Sequence, residues 1–183
     1  MQAPFVKLVA TIIRYVDNVR RFGQFSAMSA LNPLQGVVSQ PTQSRVVRAY
    51  GDEVHFHLTG EQTGGNFTLF TDITPPGGGP PPHYHNHEDE LFHVLEGKVD
   101  FFKDGEWVEV APGGTVYMPK GVLHTFRNVG STPSKLLIRT SPSGFEQFFE
   151  RSQAEFEREG GPDMKRILQI GAEHGIHFPG LIA

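Results

Sequence analysis

The chain contains no cysteine. That excludes disulfides, thiolate metal sites and cysteine nucleophiles together, and it leaves only nitrogen and oxygen to hold a metal. No apolar run is long enough to cross a bilayer, so no membrane span is expected. Basic residues are not in excess: 16 Lys and Arg stand against 20 Asp and Glu, for a net charge of -4. A nucleic-acid binder needs a basic face for phosphate contacts, and this balance argues against one. What the chain has in quantity is glycine (21) and proline (14), in clusters, within 183 residues. Hydrophobic content of 38% and charged content of 20% suit a folded globular protein. Clustered turn residues between short apolar stretches suit a mainly β domain of many short strands.

Three regions are expected. Residues 1–44 read as an N-terminal helix followed by a flexible arm. Phe5, Leu8, Val9, Ile12, Ile13, Val16 and Val19 recur at helical steps over residues 1–22. Arg14 and Asp17 interrupt the apolar run that a signal peptide needs, so a cytoplasmic location is expected. Residues 23–44 are rich in Ser, Gln, Asn, Pro and Gly. Residues 45–142 alternate strand and turn signals. They include a hairpin of Val99–Phe102 and Trp107–Val110 around Asp104-Gly105. Residues 143–183 form a helical extension. An acidic helix carrying Phe145, Phe148, Phe149 and Phe156 is capped near Ser143, and a second helix over 163–172 is followed by an apolar tail. The apolar N-terminal stripe and the barrel edges point to a homodimer.

The densest chemistry lies at Gly77-Gly78-Gly79-Pro80-Pro81-Pro82-His83-Tyr84-His85-Asn86-His87-Glu88-Asp89-Glu90. Alternate side chains of a strand share a face, so His83 and His85 can converge on one point. Glu90 can return to that point if the chain bends at 86–89. His124 offers a further nitrogen. Neutral imidazole and carboxylate are common ligands of a divalent transition metal. Counting on from Glu90, Phe92 and Val94 fall on its face, while Leu91 and His93 fall on the other. Phe126 shares the face of His124. Phe92, Val94 and Phe126 are therefore the expected lining of an apolar substrate pocket. His87 starts a turn and is not expected to be a ligand. His55 and His57 share a strand face but have no carboxylate at ligand spacing, so they are expected on a solvated or pocket-lining face.

Two stretches resemble the conserved motifs of the cupins. The first has Gly77, His83, His85, Glu90 and Gly97 at the motif spacing, and the second has Gly113, Pro119, Gly121, His124 and Asn128. The resemblance implies a double-stranded β-helix, or jelly-roll, barrel. It also implies one divalent metal (iron, manganese, nickel, cobalt, copper or zinc) held by His83, His85, Glu90 and His124. Residues 79–97 and Gly144-Phe145-Glu146 are similar to the quercetin dioxygenase-like cupins, which cleave the flavonol heterocycle with dioxygen. That similarity implies a metal-dependent dioxygenase of a small aromatic or enolisable substrate, with Glu90 as base. The group mostly holds two barrels, whereas this chain reads as one. The alternatives are a metal-dependent isomerase or lyase of a sugar or keto acid, and a non-catalytic small-molecule-binding barrel.

Overall fold

A computed structural model describes residues 36–181. The helix expected over residues 1–22, and the arm as far as residue 35, lie outside the described residues. The rest of the arm contains one 3-10 turn, Pro41–Gln43.

The described residues form eleven strands: β1 (Arg45–Ala49), β2 (Asp52–Leu58), β3 (Thr68–Thr74), β4 (Tyr84–His85), β5 (Asp89–Glu96), β6 (Val99–Lys103), β7 (Glu106–Val110), β8 (Thr115–Met118), β9 (Thr125–Asn128), β10 (Ser134–Ser141) and β11 (Ile176–His177). The helices are a single turn α1 (Gly60–Thr63), then α2 (Phe145–Phe156) and α3 (Met164–Glu173). A six-stranded sheet runs β1-β2-β3-β10-β5-β8, a three-stranded sheet runs β7-β6-β9, and β11 pairs with β4. Every pairing is antiparallel. The fold is mainly β, as expected.

Alternation decides what each strand buries. In β5, Glu90, Phe92 and Val94 point inward while Leu91 is exposed. The inner face of the large sheet meets that of the small one through aromatic contacts. The rings of Phe92 and Phe101 lie 5.3 Å apart, and those of Phe92 and Phe126 lie 6.0 Å apart. Strand pairing arranges the inner face of the large sheet in rows. Glu90, Thr140 and Thr68 form one row. Phe92, Ile138, Phe70 and Phe56 form the next, and Val94, Leu136, Asp72 and Val54 the one after. The expected hairpin is β6–β7. Asp104 and Gly105 both take positive φ, 51° and 87°, as a two-residue turn matched to strand twist requires.

Helix α2 lays Phe145 and Phe149 against the large sheet. Phe145 stacks on Phe70 at 5.6 Å, and Phe149 meets Phe56 at 6.0 Å. Its start differs from expectation. Gly144, not Ser143, is the N-cap, and it has no side chain to cap with. Glu146 takes over. Its carboxylate accepts from the backbone N–H of Gly144 at 3.1 Å, from that of Gly60 at 2.8 Å, and from the Thr68 hydroxyl. One side chain thus joins α1, α2 and β3. Helix α3 has an ordinary side-chain cap: Asp163 accepts from Lys165 N at 2.9 Å and from Arg166 N at 3.3 Å.

Burial alone would raise the Glu146 pKa, but the Thr68 hydroxyl and the Gly60 and Gly144 amides bring it below the ordinary carboxylate value. A lowered folded-state pKa stabilises the fold above the unfolded value, and that contribution is lost as pH falls through the folded one. Glu146→Gln should therefore destabilise the fold by about 1–2 kcal/mol at neutral pH. The deficit should shrink below about pH 4, as followed by urea denaturation at several pH values.

Candidate metal centre

The two glycine-bounded stretches run antiparallel to one another. His83 and His124 exchange backbone hydrogen bonds, His83 N to His124 O at 3.0 Å and His124 N to His83 O at 2.9 Å. On one side of this bridge Gly121 N donates to His85 O at 2.7 Å. On the other, Gly77 N donates to Asn128 O and Asn128 N to Gly78 O, each at 2.9 Å. Between these contacts Gly79, at φ 145°, passes so close that a Cβ would lie 2.1 Å from the Phe126 carbonyl oxygen. The Asn128 side chain closes the end of the ladder: its Nδ2 donates to Thr74 O and Thr132 O, and its Oδ1 accepts from Gly130 N.

This ladder brings His83, His85, Glu90 and His124 together. One ligand atom from each lies within 4.8 Å of the others, and all four residues are buried. The Glu90 Oε2 atom is 2.8 Å from His124 Nε2 and 3.4 Å from His85 Nε2. Each imidazole is held from behind through Nδ1. His83 Nδ1 donates to Pro81 O and His124 Nδ1 to Val122 O, both at 2.9 Å. His85 Nδ1 donates to the buried Glu88 carboxylate at 3.3 Å. A carbonyl or carboxylate oxygen can only accept, so the proton sits on Nδ1 and the Nε2 lone pairs face the cluster. His85 Nε2 is buried without a hydrogen-bond partner. A buried nitrogen in that condition, among two further imidazoles and a carboxylate, fits a divalent metal.

The charge states agree with this fit. Burial, with His124 and His85 adjacent, drops the His83 pKa to about 3, so that ring is neutral. Burial would raise Glu90, but the imidazoles, His85 foremost, bring it down to about 2, so it is an anion. For His85 burial works downward, and the Glu90 and Glu88 carboxylates outweigh it, leaving a raised pKa. A metal bound there would take the place of that proton.

An apolar cavity adjoins the cluster. Its wall includes His83 and Glu90, with Phe92 and Phe126 as expected, and Pro80 and Pro81 from the Gly/Pro loop. Val94, expected in the lining, is absent from the wall. It is fully buried, held under the turn after β7 by backbone bonds with Gly113 and Gly114 at 2.8 Å and 3.0 Å. The remaining wall comes from outside the two motifs: Tyr50, Asp52, Phe70, Asp72 and Ile138 beside or on the large sheet, Phe145, Phe148 and Phe149 of α2, and Ile176 and Phe178 of the tail. The aromatic stripe of α2 is therefore both a packing face and a cavity wall. The other histidines stand apart. His93 faces outward against the Thr115 hydroxyl, 3.0 Å away, and His87 is exposed. His55 pairs with Glu53, and His57 lies between Ser44 and Thr71.

Sequence reasoning did not single out Glu88, Asp52 or Asp72. Asp52 and Asp72 are buried and line the cavity. The available signal for Asp72 was parity: it shares the inward face of β3 with Phe70.

Residues 71–138 match the family model described as "Cupin domain". These residues carry a cupin domain. Among curated relatives, the quercetin 2,3-dioxygenase of Bacillus subtilis is 30% identical over 100 residues, which is 54% of this chain and 29% of that protein. This cupin thus spans less than a third of that relative's length. The solved structure of KdgF from Halomonas sp. superposes at TM-score 0.55 with 16% identity, covering 62% of this chain and 99% of that one. The polyketide cyclase RemF from Streptomyces resistomycificus superposes at TM-score 0.52 with 24% identity, covering 60% and 81%. These two likenesses speak to the fold alone.

Elemental analysis of untagged protein should find His83→Ala, His85→Ala and His124→Ala each depleted of most bound metal, with His93→Ala unchanged. Loss in His93→Ala alone would contradict the strand register. Glu88→Gln should weaken metal binding about 10–100-fold by releasing the His85 ring, as measured by competition with a chelator of known affinity.

Proposed function

We propose that this cupin is a metal-dependent dioxygenase of a small aromatic or enolisable substrate. The observation that carries the reading is the placement of the His83/His85/Glu90/His124 cluster against a cavity walled by aromatic rings. A divalent transition metal held there through the His Nε2 atoms and the Glu90 carboxylate would supply a Lewis-acidic centre with coordination positions open to an enolate and to dioxygen.

The chain's own residues supply the rest. Glu90 faces the cavity as a carboxylate and can take the proton of an enolisable substrate. Phe92, Phe126, Phe145 and Phe178 exclude water and offer flat faces to a ring. The cavity has a volume of about 50 Å³, room for a few water molecules. A ring-sized ligand has to displace part of the wall, and the segments carrying Phe145 and Phe178 lie outside the two larger sheets. The similarity to the Bacillus subtilis quercetin 2,3-dioxygenase supports the same reading. The isomerase or lyase alternative needs a cationic anchor for an anionic substrate. Among the described residues no lysine or arginine lines the cavity.

The test is oxygen uptake by metal-analysed protein given flavonols and other enolisable aromatics. Near-stoichiometric iron, manganese, nickel, cobalt or copper should accompany substrate-dependent uptake. Glu90→Gln should lower the rate at least about 100-fold, as expected for loss of a general base. Zinc as the only bound metal, or no uptake after loading with each redox-capable metal, would overturn the dioxygenase reading.

A further inference from the structure

Asp52 and Asp72 have no part in the chemistry above. Both point inward from adjacent strands, 7% and 4% exposed. No lysine or arginine among the described residues lines the cavity they share, and neither aspartate forms an ion pair with a described residue. The Thr74 hydroxyl donates to Asp72 Oδ1 at 3.2 Å. Asp52 Oδ1 is buried with no partner at all. Carboxyl groups removed from water without a counter-charge weaken a fold. Their presence in an otherwise apolar chamber therefore calls for a reason outside stability.

Burial raises the pKa of both groups, and the Asp52 carboxylate raises that of Asp72 further. Burial thus favours the neutral carboxyl, which offers one donor beside its acceptor oxygens. Tyr50, His83 and Glu90 are the other titratable groups of the wall, and the Tyr50 hydroxyl is already bonded to Ser152 at 2.9 Å.

We propose that Asp52 and Asp72 are a positioning pair that binds a hydroxyl group of the substrate, at the end of the cavity away from the His/Glu cluster. This rests on the reading of the cavity as the substrate chamber. Asp52 Oδ1 accepts the hydroxyl proton, and the protonated member of the pair donates to the hydroxyl oxygen. Strand pairing gives the spacing. Asp72 sits in the row of Leu136 and Val94, and Glu90 in the row of Thr140, with the row of Phe92, Ile138 and Phe70 between them. The two rows are offset by four residues, about 13 Å of backbone measured along one strand, and the Glu90 charge still reaches Asp72 and raises its pKa. The ligand class that matches is a flat, apolar body with a metal-binding group at one end and a hydroxyl at the other.

Two small chelators test this without turnover: benzohydroxamate and 4-hydroxybenzohydroxamate, which differ by one hydroxyl remote from the chelating group. Their affinities for metal-loaded protein are measured by calorimetry. Wild-type protein should prefer the hydroxylated probe by about tenfold or more. Asp52→Val and Asp72→Val should bring the ratio near one, leaving metal content and benzohydroxamate affinity unchanged. Asp72→Asn, which keeps a donor and an acceptor, should restore part of the preference. The valine variants should also melt at higher temperature than wild type, because an uncompensated buried pair has been removed. A wild-type ratio near one, failure to bind either probe, or a ratio unmoved by the valine substitutions would overturn the proposal. So would lower melting with an intact ratio, which means a structural pair, or loss of a second equivalent of metal, which means a cation site. Absence of oxygen uptake would sink the dioxygenase reading and leave this ratio untouched.

Discussion

Two backbone hydrogen bonds between His83 and His124 set the geometry on which everything else depends. They are made by the residues that also present imidazoles to the centre, so the distance between two ligand-type side chains is fixed by the main chain. The rings have little freedom left. Each Nδ1 is bound to an acceptor, two of which are backbone carbonyls only two residues upstream. A site whose donors are ordered before a cation arrives avoids the cost of ordering them afterwards. The glycines around it follow from the same constraint. A side chain at Gly79 would meet the Phe126 carbonyl, and the two stretches could not lie so close.

The cavity is polar at two places and apolar between them. One is the row of Glu90, and the other is the pair on β2 and β3. The intervening aromatic belt gives the barrel its cohesion, since Phe92, Phe101 and Phe126 touch across the two sheets. Cohesion and recognition are thus divided between rows of the same inner face. The helical extension participates in both, because Phe145 stacks on Phe70 of the core and also lies 5.2 Å from the His85 ring.

Much of this was legible in the sequence, for a simple reason. A period of two puts His83 with His85, and Glu90 with Phe92, whatever the rest of the chain does. The hairpin at Asp104-Gly105 was equally local. What escaped depended on distant partners. Glu88 lies in the bend between ligand-bearing strands, where parity gives no direction. Val94 has the right parity, but the turn after β7 covers it. Asp72 lies in an apolar strand, and its inward direction acquires meaning only when β2 sets Val54 opposite it and Asp52 diagonally across the same face. Local rules place a side-chain cap of α2 near Ser143, whereas the N-cap is Gly144, which has no side chain. Glu146 does that work because Gly60 and Thr68 come to it from elsewhere in the chain.

The short strand β11 has a consequence for how the protein comes into being. Ile176 pairs with His85, and His177 with Tyr84, so β4 borrows its neighbour from some 91 residues further on. During synthesis His83, His85, Glu90 and His124 leave the ribosome well before that neighbour exists. Until residues 176–178 emerge, β4 is an open edge and the cavity lacks the wall that Ile176 and Phe178 provide. The barrel can collapse early, but the finished chamber closes only once residues 176–178 have emerged. A metal captured before then would sit in a site still open to water and to competing ligands. The order of elements along the chain would thus leave the nascent protein an interval in which a cation at the cluster is still open to exchange.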